Sequence, residues 1–150
     1  MALAAYLDIK APVYSGFSAG GLAAYLAAQA DPGAQAYLGL DAVDSGGLAK
    51  ASMVELPIPA LFIVGAPSAC NSRNNFGTII SRGAGYYSLP LHDASHCDFE
   101  WPIDQRCYLL CRAGNKQERD RVQQTIRESA SEWLLDLSSK GKGGNVNRPQ

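Results

Sequence analysis

The stretch Ala11–Ala30, "APVYSGFSAGGLAAYLAAQA", decides the fold. Its Pro-Val-Tyr opening favours extended backbone, and its alanine-rich end favours helix. Between them Gly16-Phe17-Ser18-Ala19-Gly20-Gly21 is a turn of mostly small residues. This predicts a short buried strand over residues 12–16 that passes at once into a helix over 19–30. Leu22, Ala23, Leu26, Ala27 and Ala30 form the expected inward face of that helix. Asp31-Pro32-Gly33 then stops it.

The rest of the chain repeats the theme. "AYLGLDAV" (36–43) is a second apolar run, closed by Ser45-Gly46-Gly47. "PALFIVGAP" (59–67) is continuous, rich in β-formers and bounded by prolines, and "GYYSLPL" (85–91) is a fourth strand candidate. Unbroken apolar runs, rather than alternation, suit strands covered on both faces, as in a parallel sheet. Residues 115–138 carry Val122, Ile126, Ala130, Trp133, Leu134 and Leu137 on one helical stripe. The expectation is an α/β fold, a mostly parallel sheet with flanking helices, over residues 1–138. The polar, glycine-rich tail 139–150 is expected to be disordered.

Composition narrows the function classes. The chain has 150 residues, enough for one domain with a core. Thirteen basic against fourteen acidic residues leave a net charge of −1, which argues against a nucleic-acid partner or an electrostatic membrane binder. No run of apolar residues is long enough for a transmembrane segment. Four cysteines, Cys70, Cys97, Cys107 and Cys111, fit two disulfides and a lean to an extracytoplasmic or secreted compartment. Three pairings are possible, and the sequence does not choose among them.

In parallel sheets, active groups gather on loops past the carboxyl ends of strands. Ser18 follows the first strand, Asp41 and Asp44 the second, His92 and His96 the fourth. Gly16-Phe17-Ser18-Ala19-Gly20 matches G-x-S-x-G, the nucleophile elbow. Such a turn lifts the serine hydroxyl above the sheet and needs small residues two before and two after it. It also aims the backbone N–H of Ala19 at a developing oxyanion. A serine needs a base, and the base needs an orienting acid. His96 is the preferred base, since it lies deeper in its loop than His92. Asp41, at the strand end, is the preferred acid; Asp44 is second choice, with capping of the Ser-Gly-Gly turn as its simpler role. "VGAPSACNSRNN", after the third strand, offers no carboxylate. A metal site on His92, His96 and the cysteines is disfavoured by the loop context, so no metal or cofactor is expected.

These pieces resemble the α/β-hydrolase superfamily, in its chlorophyllase-like and dienelactone-hydrolase-like esterase branch. The resemblance rests on "GFSAGGLAAYLAA", "YLGLDAVDSGG", "PALFIVGAPSACN" and "ASHCDFE". It implies a serine hydrolase acting on carboxylic esters, with Ser18 as nucleophile, Asp41 as acid and His96 as base. Chlorophyllases usually carry His and Arg where this chain has Phe17 and Ala19, and dienelactone hydrolases use cysteine where it has Ser18. Phe17, Phe99 and Trp101 suggest an apolar small-molecule ester as substrate. The resemblance further implies several strands ahead of the elbow, and a second oxyanion amide from among them. This chain is therefore expected to be a C-terminal portion of such a domain. The alternative is a non-catalytic interaction module that self-associates through an exposed edge strand.

Overall fold

The computed structural model describes residues 10–52, 55–80, 85–111 and 114–142. Four strands, β1 (Val13–Phe17), β2 (Ala36–Leu40), β3 (Ala60–Val64) and β4 (Tyr86–Pro90), form one sheet in the order β1-β2-β3-β4. Every pairing is parallel. Helix α1 (Ser18–Ala30) follows β1, and α2 (Leu48–Ser52), α3 (Gly77–Ile80), α4 (Gln105–Cys111) and α5 (Lys116–Lys142) complete an α/β fold. Each strand begins and ends within one or two residues of its expected place, except that the second stops at Leu40 instead of Val43 and the third at Val64 instead of Pro67.

Burial follows position in the sheet. The central strands β2 and β3 are buried at four of their five residues each, whereas β1 and β4 alternate between exposed and half-buried. The continuous apolar runs therefore belong to the strands that are covered on both faces. One core layer packs Leu22, Tyr25, Ala28, Tyr37, Phe62, Phe76 and Ile79. The opposite layer packs Leu38, Leu61, Ile63, Ala94, Phe99, Val122 and Ile126. Alternation along β2 and β3 sends Tyr37 and Phe62 to one face, and Leu38, Leu61 and Ile63 to the other. Each such large side chain contributes on the order of 2–3 kcal/mol when fully buried.

The buried face of α1 differs from expectation. It consists of Gly21, Leu22, Tyr25 and Ala28, while Ala23, Ala27 and Ala30 face solvent. The reason is Tyr25. Its ring packs edge-on against Tyr37 and Phe76, and its hydroxyl lies 3.4 Å from that of Tyr86. An aromatic body outweighs several alanines in deciding which face turns inward. Burial pushes the phenols of Tyr25 and Tyr37 well up from their ordinary value, so both stay neutral in this layer.

Helix α5 opens with a reciprocal cap. Asn115 Oδ1 accepts the Glu118 N–H at 3.0 Å, and Glu118 Oε2 accepts the Asn115 N–H at 3.1 Å. Its stripe docks on the second core layer through Val122, Ile126, Ala130 and Trp133. The helix runs on to Lys142, so residues 139–142 are not part of a tail; residues 143–150 lie outside the described residues. No described helix is long and apolar enough to cross a membrane.

The four cysteines form two disulfides, Cys70–Cys111 and Cys97–Cys107. Two such bonds fit an oxidising compartment outside the cytoplasm.

Candidate active site

Ser18 stands where β1 ends and α1 begins, with φ of 53°. A non-glycine residue in that left-handed region is strained, and surrounding structure must hold it there. Two glycines supply the room. A Cβ on Gly16 would come within 3.0 Å of backbone atoms of Gly20 and Gly21. One on Gly21 would lie 2.6 Å from the Cβ of Ala42. Gly20 faces open space, so the steric demand after the serine falls on Gly21 rather than on the glycine of the five-residue motif. Gly16→Ala should therefore cost about 3 kcal/mol, because the clash is with backbone that cannot step aside. Gly20→Ala, inside a helix, should gain up to about 1 kcal/mol. Urea denaturation of the two variants checks this, and equal midpoints would contradict it.

Asp41 follows the last residue of β2 and is 1% exposed, also with positive φ, 41°. Its backbone N–H donates to the Ile63 carbonyl at 2.7 Å, which seats it at the carboxyl end of the sheet. His96 is 6% exposed and opens a 3₁₀ turn (His96–Phe99) past β4. Asp98 fastens that turn: its Oδ2 accepts from the N–H and the hydroxyl of Ser95 at 2.7 and 2.8 Å.

These loops bring three side chains into line. His96 Nδ1 lies 2.6 Å from Asp41 Oδ2, and His96 Nε2 lies 3.0 Å from Ser18 Oγ. A carboxylate only accepts, so Nδ1 carries the proton and donates to Asp41. Nε2 is then left with its lone pair toward the serine hydroxyl, which donates to it. The Phe17 ring packs 4.7 Å from the imidazole and covers one of its sides. A further backbone bond, Val43 N–H to the Ser18 carbonyl at 3.1 Å, ties the strained turn to the loop that carries Asp41.

The other candidates fall elsewhere. His92 is exposed. Asp44 is buried, but its carboxylate accepts the N–H groups of Ala49 and Lys50 at 2.8 and 3.1 Å, capping the start of α2. Ala19 is exposed in the first turn of α1, where backbone N–H groups lack an intrahelical acceptor. Of the three aromatic residues, Phe99 and Trp101 line an open groove of about 520 Å³ together with Leu40, Ile126 and Ala130. Leu40 in that groove pairs in register with Phe17, the residue before Ser18.

One participant escaped the sequence. Asn71, fully buried, donates from Nδ2 to Asp41 Oδ2 and Oδ1 at 3.2 and 3.4 Å. The Gly65 N–H adds a bond to Asp41 Oδ1 at 2.9 Å. The one signal for Asn71 in the sequence is its place in the loop after the third strand, which holds no carboxylate.

The chain matches no family model, and no curated protein sequence matches it significantly.

Proposed function

We propose that the chain is a serine carboxylester hydrolase of the α/β-hydrolase type. The carrying observation is the hydrogen-bonded line from Ser18 Oγ through His96 to the buried Asp41 carboxylate. In the proposed reaction Ser18 Oγ attacks the ester carbonyl while His96 Nε2 takes its proton. The Ala19 N–H receives part of the negative charge on the carbonyl oxygen. His96 then hands the proton to the departing alkoxide, leaving an acyl group on Ser18. Water, activated by the same nitrogen, releases the acid and restores the serine. The largely apolar groove of Leu40, Phe99, Trp101, Ile126 and Ala130 suits an apolar acyl or alcohol group. The paired cysteines support an extracytoplasmic setting for this chemistry.

An alkyl fluorophosphonate probe tests the reading. Labelling of Ser18, identified by peptide mass mapping and lost in Ser18→Ala, is the expected result. A folded protein that takes up no probe at Ser18 would sink it.

A second reading has its own observation. Among the described residues β1 is an edge of the sheet, and Val13 and Ser15 on it are exposed. An open parallel edge of this kind can pair with another chain. A dimer in sizing chromatography, with no ester turnover, would favour an interaction module instead.

A further inference from the structure

We infer that Asn71 is a positioning residue for this site: its side-chain amide holds the Asp41 carboxylate in line with His96. The inference rests on the esterase reading above.

The argument starts with which end of the amide faces which partner. Nitrogen and oxygen of an asparagine are told apart only by their neighbours. Asn71 has a neighbour of fixed type at each end. The Ser68 backbone N–H, which can only donate, points at Oδ1 from 2.8 Å. The Ala66 carbonyl, which can only accept, lies 2.9 Å from Nδ2. The NH₂ group is therefore committed to the side where Asp41 sits, and its second hydrogen reaches the carboxylate oxygens. A flipped amide would oppose oxygen to carboxylate and nitrogen to N–H at once.

The carboxylate in turn has few ways to turn. Gly65 N–H holds Oδ1, and His96 Nδ1 holds Oδ2. Asn71 spans both oxygens from a third direction and carries no charge. Rotation of the carboxylate away from the imidazole would break bonds to two donors that cannot follow. A cationic donor in the same place would compete with a protonated His96 for the carboxylate, and a neutral amide does not. Asn71 is fully buried, so bulk water does not reach the carboxylate past it.

The test reads the rate of Ser18 labelling by the fluorophosphonate and the kcat and KM of a short nitrophenyl ester. Loss of one hydrogen bond to a charged group should slow labelling by about 10- to 100-fold in Asn71→Ala, and lower kcat with KM little changed. In an Asp41→Asn background the same substitution should add no loss beyond about twofold, because its effect passes through the carboxylate. Equal losses in both backgrounds would reduce Asn71 to a packing residue and overturn the inference. Asn71→Asp gives a second route if the alanine variant does not fold. It keeps the shape and the acceptor for Ser68 but sets an oxygen against Asp41. Labelling of either folded variant at the wild-type rate also overturns the inference. Wild-type protein that takes no label refutes the esterase reading itself, which separates the two failures.

Discussion

Asp41→Asn is expected to lower kcat/KM for a nitrophenyl ester by about 10⁴-fold while leaving the fold intact. Asparagine is among the residues that tolerate the left-handed backbone of position 41, so the substitution adds no strain there. The new amide would meet the Gly65 N–H and the Asn71 amide, both fixed donors, and the His96 ring, whose proton can move. The Gly65 N–H, 2.9 Å from the present Oδ1, claims the single oxygen that remains. The NH₂ group then takes the place of Oδ2, 2.6 Å from His96 Nδ1, and donates where the carboxylate accepted. Nδ1 must become the acceptor, so the proton moves to Nε2 and faces Ser18. A nitrogen that already carries a proton cannot take the serine's. Oxyanion contacts and substrate binding would survive, which is why a residual rate is expected rather than none. Steady-state kinetics with thermal unfolding of the same preparation decides the matter. A folded Asp41→Asn protein within tenfold of wild type would mean that Asp41 does not orient a working base.

Much of this geometry can be read from local chemistry along the chain. Ser18, Asp41 and His96 each follow directly on a strand or its closing turn, and parallel strands bring such positions to one end of a sheet. The strands themselves stand out because continuous apolar runs bounded by proline and glycine have few other uses in a short chain. What stayed hidden has physical causes. The inward face of α1 is set by one tyrosine whose ring fills a gap between Tyr37 and Phe76, and an alanine-rich helix gives periodicity little contrast. The glycine that matters after Ser18 is chosen by contact with Ala42, forty-two residues into the chain and on another strand's exit loop. Asn71 is neutral and small, with nothing in its local sequence to mark it; only the approach of three loops gives it a carboxylate to hold. The disulfide pairing was equally beyond reach, since Cys107 is near Cys111 in sequence yet each bonds a different loop.

That pairing carries the second large effect. Cys107 and Cys111 are four residues apart on α4, hence on one face of the helix. Cys107 bonds Cys97, next to His96, and Cys111 bonds Cys70, next to Asn71. A single seven-residue helix thus anchors both the His96 loop and the Asn71 loop beside Asp41. Among its described side chains, Leu109 and Leu110 are 76% and 79% exposed. In the chain-entropy account a cross-link across 41 residues is worth about 4 kcal/mol, against about 3 kcal/mol for one across 10. The double variant Cys70→Ala/Cys111→Ala should therefore unfold on the order of 10 °C below wild type, and Cys97→Ala/Cys107→Ala somewhat less far below. Below its new midpoint the first variant should also label more slowly at Ser18, because the Asn71 loop has lost its tie. A dithiol reductant added to wild type should reproduce both effects and should do nothing to a variant that lacks all four cysteines. A drop of under about 3 °C in the Cys70/Cys111 variant would show that α4 is held by its packing rather than by sulfur. An unchanged labelling rate alongside a large drop would confine the bond to stability, leaving the loop around Asn71 ordered by its own hydrogen bonds to Ser68 and Ala66.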